Sequence, residues 1–242
     1  MRHHRADDAL TPLPDTFSLL SWNVHKEMGR PAFNAAFEAL LRENEPELVL
    51  LQEAVLDCHT QAQFSGYNFS AAINIDLRQK QYGVLTAAKC PITDTLGLKT
   101  SRRELHFATR KSLLVTTHPF ANGSPLTAVN LHAINFVSAT VFVEEIERLI
   151  EMLRRRTGPM IVTGDFNTWS RKRVEYMKNF ARFISLESAV FENSHHIKRR
   201  FSKPLDHLYF RELECLGARA VDTGKVSDHN PIVAAFRRGG TP

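Results

Sequence analysis

A chain of 242 residues with 43% hydrophobic and 24% charged side chains has the composition of a folded soluble protein and the length for one large core, which excludes a disordered or fibrous polymer. Its formal charge of +5 and pI near 9.2 favour a polyanionic partner such as nucleic acid, a statement about association and not about fold. Cys58, Cys90 and Cys215 are too few and scattered for a disulfide framework and form no CxxC pair, so a reducing, cytoplasmic compartment is expected.

In chain order, MRHHRADDALTPLPD carries charges and prolines without an apolar run and reads as a disordered arm over 1–15, with neither a secretion signal nor a membrane-inserting segment. No linker divides the remainder, so residues 16–238 are expected to form one domain. FSLLSW is the first predicted strand, and Phe33, Phe37, Leu40 and Leu41 mark a helix. ELVLLQ, YGVLTAA and KSLLVTT follow as strands, and HPFANGSPLTAV predicts a hairpin turning at Asn122 and Gly123. A longer helix carries Phe142, Ile146, Leu149, Ile150 and Leu153. Its glutamates start at Glu144, its arginines run through Arg156, and Gly158 and Pro159 are expected to stop it. PMIVTG, LDHLYF and PIVAAF are the last strands. Hairpins alternating with strand-helix-strand stretches give an α/β class in which mixed sheets pack face to face with helices outside.

Several apolar runs end in, or follow, a polar side chain that a strand end does not need. SLLSWN ends at Asn23, VLLQE at Glu53, AVNLH at His132 and MIVTGD at Asp165; Asp206 opens LDHLYF, and Asp228 and His229 precede PIVAAF. Together they form a set of hard oxygen donors and imidazoles without thiolates, which suits Mg2+ or Mn2+ with room left for water and phosphate. Asp165 and Asn167, two residues apart, would share one face of an extended backbone. Taken singly, each of these residues is as readily a turn former or a solvated charge; their joint order gives the reading its force. His25, His106, His118, His195, His196 and His207 are read as outside the catalytic set.

The pieces SWNVHKE, LLQEA, AVNLHA, VTGDFNTWS, PLDHLYF and VSDHNPI resemble, in this order, the endonuclease/exonuclease/phosphatase superfamily with the DNase I-like fold. NVHKE, NLHAINF and GDFNTWS look most like a small, poorly characterised bacterial branch of it. The resemblance implies a four-layer α-β-β-α sandwich of two mixed, mostly antiparallel sheets, and a metal-dependent phosphoesterase. It implies Glu53 as the main metal ligand, with Asn23 and Asp228 near the metal. His229 and Asp206 would form a dyad that activates water or holds phosphate. Asp165 would orient the nucleophile or act as base, and Asn167 and His132 would bond the scissile phosphate. His132, where abasic-site endonucleases carry a tyrosine and asparagine pattern, disfavours that specificity.

Arg171, Lys172 and Arg173, just after GDFNTWS, are expected to line the substrate approach, with Trp169 shaping the loop or stacking on a base. Arg110 and Lys111 are further phosphate-binding candidates. The reading is a phosphodiesterase acting on nucleic acid. The alternatives are an enzyme acting on a small phosphoester or lipid head group, and a binding module that keeps the fold without turnover. No protein partner is inferable, and a monomer is expected.

Overall fold

The computed structural model of the chain describes residues 1–4, 11–103 and 110–239, so His106 lies outside the described residues. Its strands are β1 (Arg2–His4), β2 (Thr16–Asn23), β3 (Leu48–Leu56), β4 (Asn68–Asp76), β5 (Gln81–Ala88), β6 (Asp94–Lys99), β7 (Ser112–Pro119), β8 (Pro125–His132), β9 (Met160–Asp165), β10 (Glu187–Ser188), β11 (Arg199–Arg200), β12 (Lys203–Pro204), β13 (Asp206–Arg211), β14 (Leu213–Ala220) and β15 (Ile232–Arg238). The helices are α1 (Pro31–Asn44), α2 (Thr60–Gln63), α3 (Ala139–Leu153) and α4 (Arg171–Phe183). A seven-stranded sheet has the order β1-β4-β5-β3-β2-β15-β14, a six-stranded sheet the order β10-β13-β9-β8-β7-β6, and β11-β12 form a separate ribbon. Both large sheets are mixed: β2 with β3 and β8 with β9 are parallel, crossing over through α1 and α3, and the other strand pairs are antiparallel.

The continuous apolar runs follow from burial on both faces. Along β2, Phe17 and Leu19 enter the core between the sheets, while Leu20 and Trp22 pack outward beside Phe33 and Phe37 of α1. On the other sheet, Ala128 and Ile161 face inward, and Val129 and Val162 meet Phe142 of α3 and Phe180 of α4. Successive side chains point to opposite faces, so a strand clad on both sides must be apolar throughout. This is the α/β architecture expected, helices outside two stacked sheets.

Three local expectations are corrected. The arm over 1–15 is not wholly disordered: Arg2–His4 pair with Phe69–Ala71 at the sheet edge, and Leu13 is fully buried, its N–H bonded to the Pro119 carbonyl at 2.8 Å. An edge strand takes its backbone bonds from one neighbour and tolerates charged side chains, so it leaves no apolar signature. Helix α3 begins at Ala139, capped by the Ser138 hydroxyl that accepts from Val141 N, and ends at Leu153, short of Gly158. Strands β4, β6 and β14 and helix α4 were not anticipated, because polar residues interrupt their apolar spacing.

Buried neutral imidazoles make the fold acid-sensitive. His118 on β7 is enclosed, with Nδ1 3.5 Å from Cys90 Sγ and Nε2 2.8 Å from Thr116 Oγ1. Burial pushes it down from 6.5 to about 4, opposed in part by the Pro91 backbone, and burial does the same to His207. Below pH 6.5 the unfolded chain takes protons that these rings refuse. Their stabilisation is therefore complete above 6.5 and is lost as pH falls towards 4. Urea unfolding between pH 7 and 5 is expected to show this fall. His118→Met should reduce the slope by about one proton, and an unchanged slope would remove His118 from the account.

Candidate active site

The anticipated carboxylates, amides and imidazoles converge on one rim of the paired sheets. Parallel pairing of β8 with β9 sets His132 opposite Asp165, and antiparallel pairing of β9 with β13 sets Asp165 opposite Asp206, a row of three across neighbouring strands. The first sheet supplies Asn23 at the end of β2, paired with Gln52, and Glu53 beside it. Glu53 sits in the β3 bulge with φ of 51°, and its carbonyl accepts the Lys26 N–H at 3.1 Å. The sheets meet where Asn23 Nδ2 donates to Asp165 Oδ2 at 3.1 Å. Asn23, Glu53, His132, Asp165, Asn167, Asp228 and His229 all line one cavity of about 570 Å³.

His229 is fixed by its surroundings. Its carbonyl accepts the Trp22 indole N–H at 2.8 Å, and its Nδ1 lies 2.8 and 3.0 Å from the two Asp206 oxygens. Nε2 is left towards the cavity, 3.9 Å from Asp165 Oδ2. Burial opposes a charge on this ring, but Asp206, by charge and hydrogen bond, with Asp165 and Asp228, pushes it up to about 9. Burial likewise pushes the Asp165 carboxyl up to about 6, with His229 pulling it down and Asp206 pushing it up. His132, with Nε2 3.6 Å from Asp165 and 3.7 Å from Glu53, is held well below the usual imidazole range by burial and by Lys111, His229 and Lys26.

Asp165 and Asn167 share the cavity, though by a different device from an extended backbone. β9 stops at Asp165, Asn167 turns with φ of 51°, its N–H donates to Asp165 Oδ1 at 2.9 Å, and its Nδ2 donates to the Ala133 carbonyl at 3.1 Å. Among the described residues, five of the ten non-glycine positions with positive φ line this cavity: His25, Lys26, Glu53, Phe136 and Asn167. Such backbone persists only where its surroundings impose it, and it concentrates at functional sites.

The donor chemistry fits a hard divalent cation. Glu53 is largely shielded yet opens to the cavity between Lys26 Nζ at 3.5 Å and Lys111 Nζ at 3.7 Å, while Asn23 and Asp228 line the same space. Among the described residues no three or more His, Cys, Asp or Glu side chains are grouped as a metal cage. One or two protein carboxylates completed by water and phosphate is the mode that suits Mg2+.

The basic residues differ from expectation. Arg173 is 1% exposed, and its guanidinium donates to the Ile134, Asn167 and Val137 carbonyls while lying between the Phe142 and Trp169 rings, 4.4 and 4.5 Å from their centres. It braces the loop carrying Asn167 and is not part of the cavity wall. Arg171 and Lys172 are exposed at the start of α4 and, like Trp169, are not part of the cavity wall; Trp169 Nε1 donates to Asn135 Oδ1 at 2.8 Å. Lys26, Lys111, Lys198, Arg199 and Arg200 supply the positive wall instead. Of these, Lys111 was anticipated and the other four were not. Arg110 is not part of that wall. Arg173→Ala is expected to cost about 3 kcal/mol in urea unfolding, since it strips charged hydrogen bonds from three carbonyls. A loss under about 1 kcal/mol would show that the brace is dispensable.

Two mixed sheets back to back with outer helices, and carboxylates and imidazoles along one rim, define the DNase I-like class of α/β fold. The chain belongs to the Endonuclease/Exonuclease/phosphatase family, whose pattern it matches over residues 20–229. A UPF0294 protein of Yersinia enterocolitica is 32% identical over 240 residues, covering 93% of this chain and 86% of the relative. A family structure from Bacteroides vulgatus superposes with TM-score 0.71 at 15% identity, covering 92% of this chain and 99% of that one. D. rerio TDP2, complexed with single strand DNA product, superposes with TM-score 0.68 at 14% identity, covering 92% and 99%.

Proposed function

We propose that the protein is a divalent-metal-dependent phosphodiesterase that hydrolyses nucleic acid. The observation that carries this reading is the joining of the His229–Asp206 pair, Asp165 and Glu53 around one cavity with a wall of basic side chains. Glu53, with Asn23 and Asp228, would hold the cation, whose chemistry there is to neutralise phosphoryl charge. Asp206 fixes the His229 ring so that Nε2 faces the phosphate. Asp165 and His229, 3.9 Å apart, handle the proton of the attacking water as one coupled unit. His132 and Asn167 flank the phosphate oxygens, and Lys26 and Lys111 add positive charge beside them. The positive balance of the chain and the single strand DNA product carried by a protein of the same fold support a nucleic-acid substrate.

Purified protein incubated with DNA, RNA, phospholipid and sugar-phosphate substrates in Mg2+ or Mn2+ is expected to cleave nucleic acid and to stop when EDTA is added. Lipid or sugar-phosphate turnover beside inert nucleic acid would reassign the substrate. No turnover of any phosphoester would leave a binding module.

A further inference from the structure

The ribbon β11-β12 projects from the cavity wall with an aromatic ring at its tip. The Leu205 N–H closes its base on the Lys198 carbonyl at 2.9 Å, and Asn230 Nδ2 anchors it by donating to the His196 carbonyl at 3.0 Å. At the tip, Phe201 and Ser202 both take positive φ, 49° and 62°, in a turn that asparagine and glycine form with less strain. Phe201 is nevertheless there and is 72% exposed. A ring this exposed in left-handed backbone gains little from packing, so most of its contribution lies in what it meets from solvent.

Its surroundings are aromatic and cationic in alternation. The Arg200 guanidinium lies 5.1 Å from the centre of Phe136 and 5.5 Å from that of Phe201, and Trp169 meets Phe201 edge-on with centres 6.3 Å apart. Phe136, Lys198, Arg199 and Arg200 line the cavity itself, so this wall continues into the site. Rings interleaved with guanidinium planes beside fixed positive charge form a surface on which unpaired bases stack while their phosphates lie against the cations. A duplex offers no free base face away from its ends. A lipid surface is matched less well, because the ribbon carries one exposed aromatic residue and two of its cations, Arg199 and Arg200, line the cavity.

We propose that the Phe201 ribbon is a base-stacking platform that makes the site selective for single-stranded nucleic acid. This rests on the nucleic-acid reading of the site, and the test below measures binding without turnover, so each can fail alone. In EDTA, fluorescence anisotropy would compare a labelled oligo-dA strand with the same strand annealed to its complement, using the full-length protein. The wild type is expected to bind the single strand more tightly. Phe201→Ala should weaken that affinity roughly 5- to 150-fold, the range for one stacked base, while duplex affinity stays as it was. Phe201→Trp should retain the preference, and Phe201→Leu, apolar but without a ring, should lose it.

Equal weakening of both forms, no effect of Phe201→Ala, no measurable single-strand binding, or full affinity in Phe201→Leu would each overturn the proposal. So would Phe201-dependent binding to phosphatidylserine vesicles combined with Phe201-independent binding to the strand, which would assign the ribbon to a lipid surface. If the preference holds while the protein cleaves no phosphoester, the platform stands and the hydrolytic reading falls.

Discussion

Asp206→Asn should lower phosphodiester turnover by about 10²–10⁴-fold, the range contributed by a well-placed proton-transfer group, while leaving the fold intact. Asp206 opens β13 beside Asp165, and both its oxygens lie within 3.0 Å of His229 Nδ1. Asparagine keeps the shape and one acceptor, and removes the charge that lifts His229. The ring then loses the partner that fixes its tautomer and stabilises its cation. Steady-state kinetics on the best nucleic-acid substrate, with far-UV circular dichroism as the control, checks the outcome. A loss below about tenfold would place His229 outside the proton chemistry. Glu53→Ala is expected to give a comparable loss and to abolish the response to added Mg2+.

Gly164→Ala should cost at least about 4 kcal/mol, combining a backbone conformation few side chains adopt with overlap in a packed interior. Gly164 has φ of +138° in the middle of the row joining β8, β9 and β13, opposite Leu131 on one side and His207 on the other. A Cβ there would lie 2.0 Å from the Leu131 carbonyl oxygen, which is backbone and cannot rotate away. For a domain of this size the melting temperature should fall by roughly 8–16 °C. Because His132 and Asp165 form the next pair along, surviving folded protein should also turn over slowly. A variant within about 1 kcal/mol of wild type would mean that the strands can part at this point without penalty.

This glycine shows where sequence reasoning succeeded and where it fell short. Within VTGDFNTWS it reads as an invitation to bend, whereas it stays in the strand because a neighbouring backbone approaches too closely for a side chain. The carboxylates and imidazoles were legible because each ends or opens an apolar run, and runs buried on both faces are hard to mistake. Helix α4 was hidden by its charges, although Val174, Met177, Phe180 and Ile184 carry a helical spacing. Arg173 was misread for the same reason, since nothing in RKR tells which of three cations has carbonyls waiting for it. Lys26, Lys198, Arg199 and Arg200 reach the cavity through turns and a ribbon whose direction no periodicity encodes. Asn130 had a visible signal, a polar residue inside AVNLHA. Its amide donates to the Leu51 and Leu85 carbonyls and its oxygen accepts from Gln52, pinning one sheet to the other beside Glu53.

That pin has a consequence for how damage should propagate. Glu53 and Asn23 ride on one sheet, His132, Asp165 and Asp206 on the other, and His229 enters from the strand that follows it in the first. The reactive geometry is therefore a measure of how the two slabs sit on each other, and a slip of an ångström would separate its halves without unfolding either. Mild substitutions deep between the sheets, at Leu19 or Ile161, remote from any substrate, should dull turnover at temperatures where the protein still melts as one cooperative body. In this protein the interior acts as a gauge as well as ballast, and catalytic rate would report on its alignment before melting does.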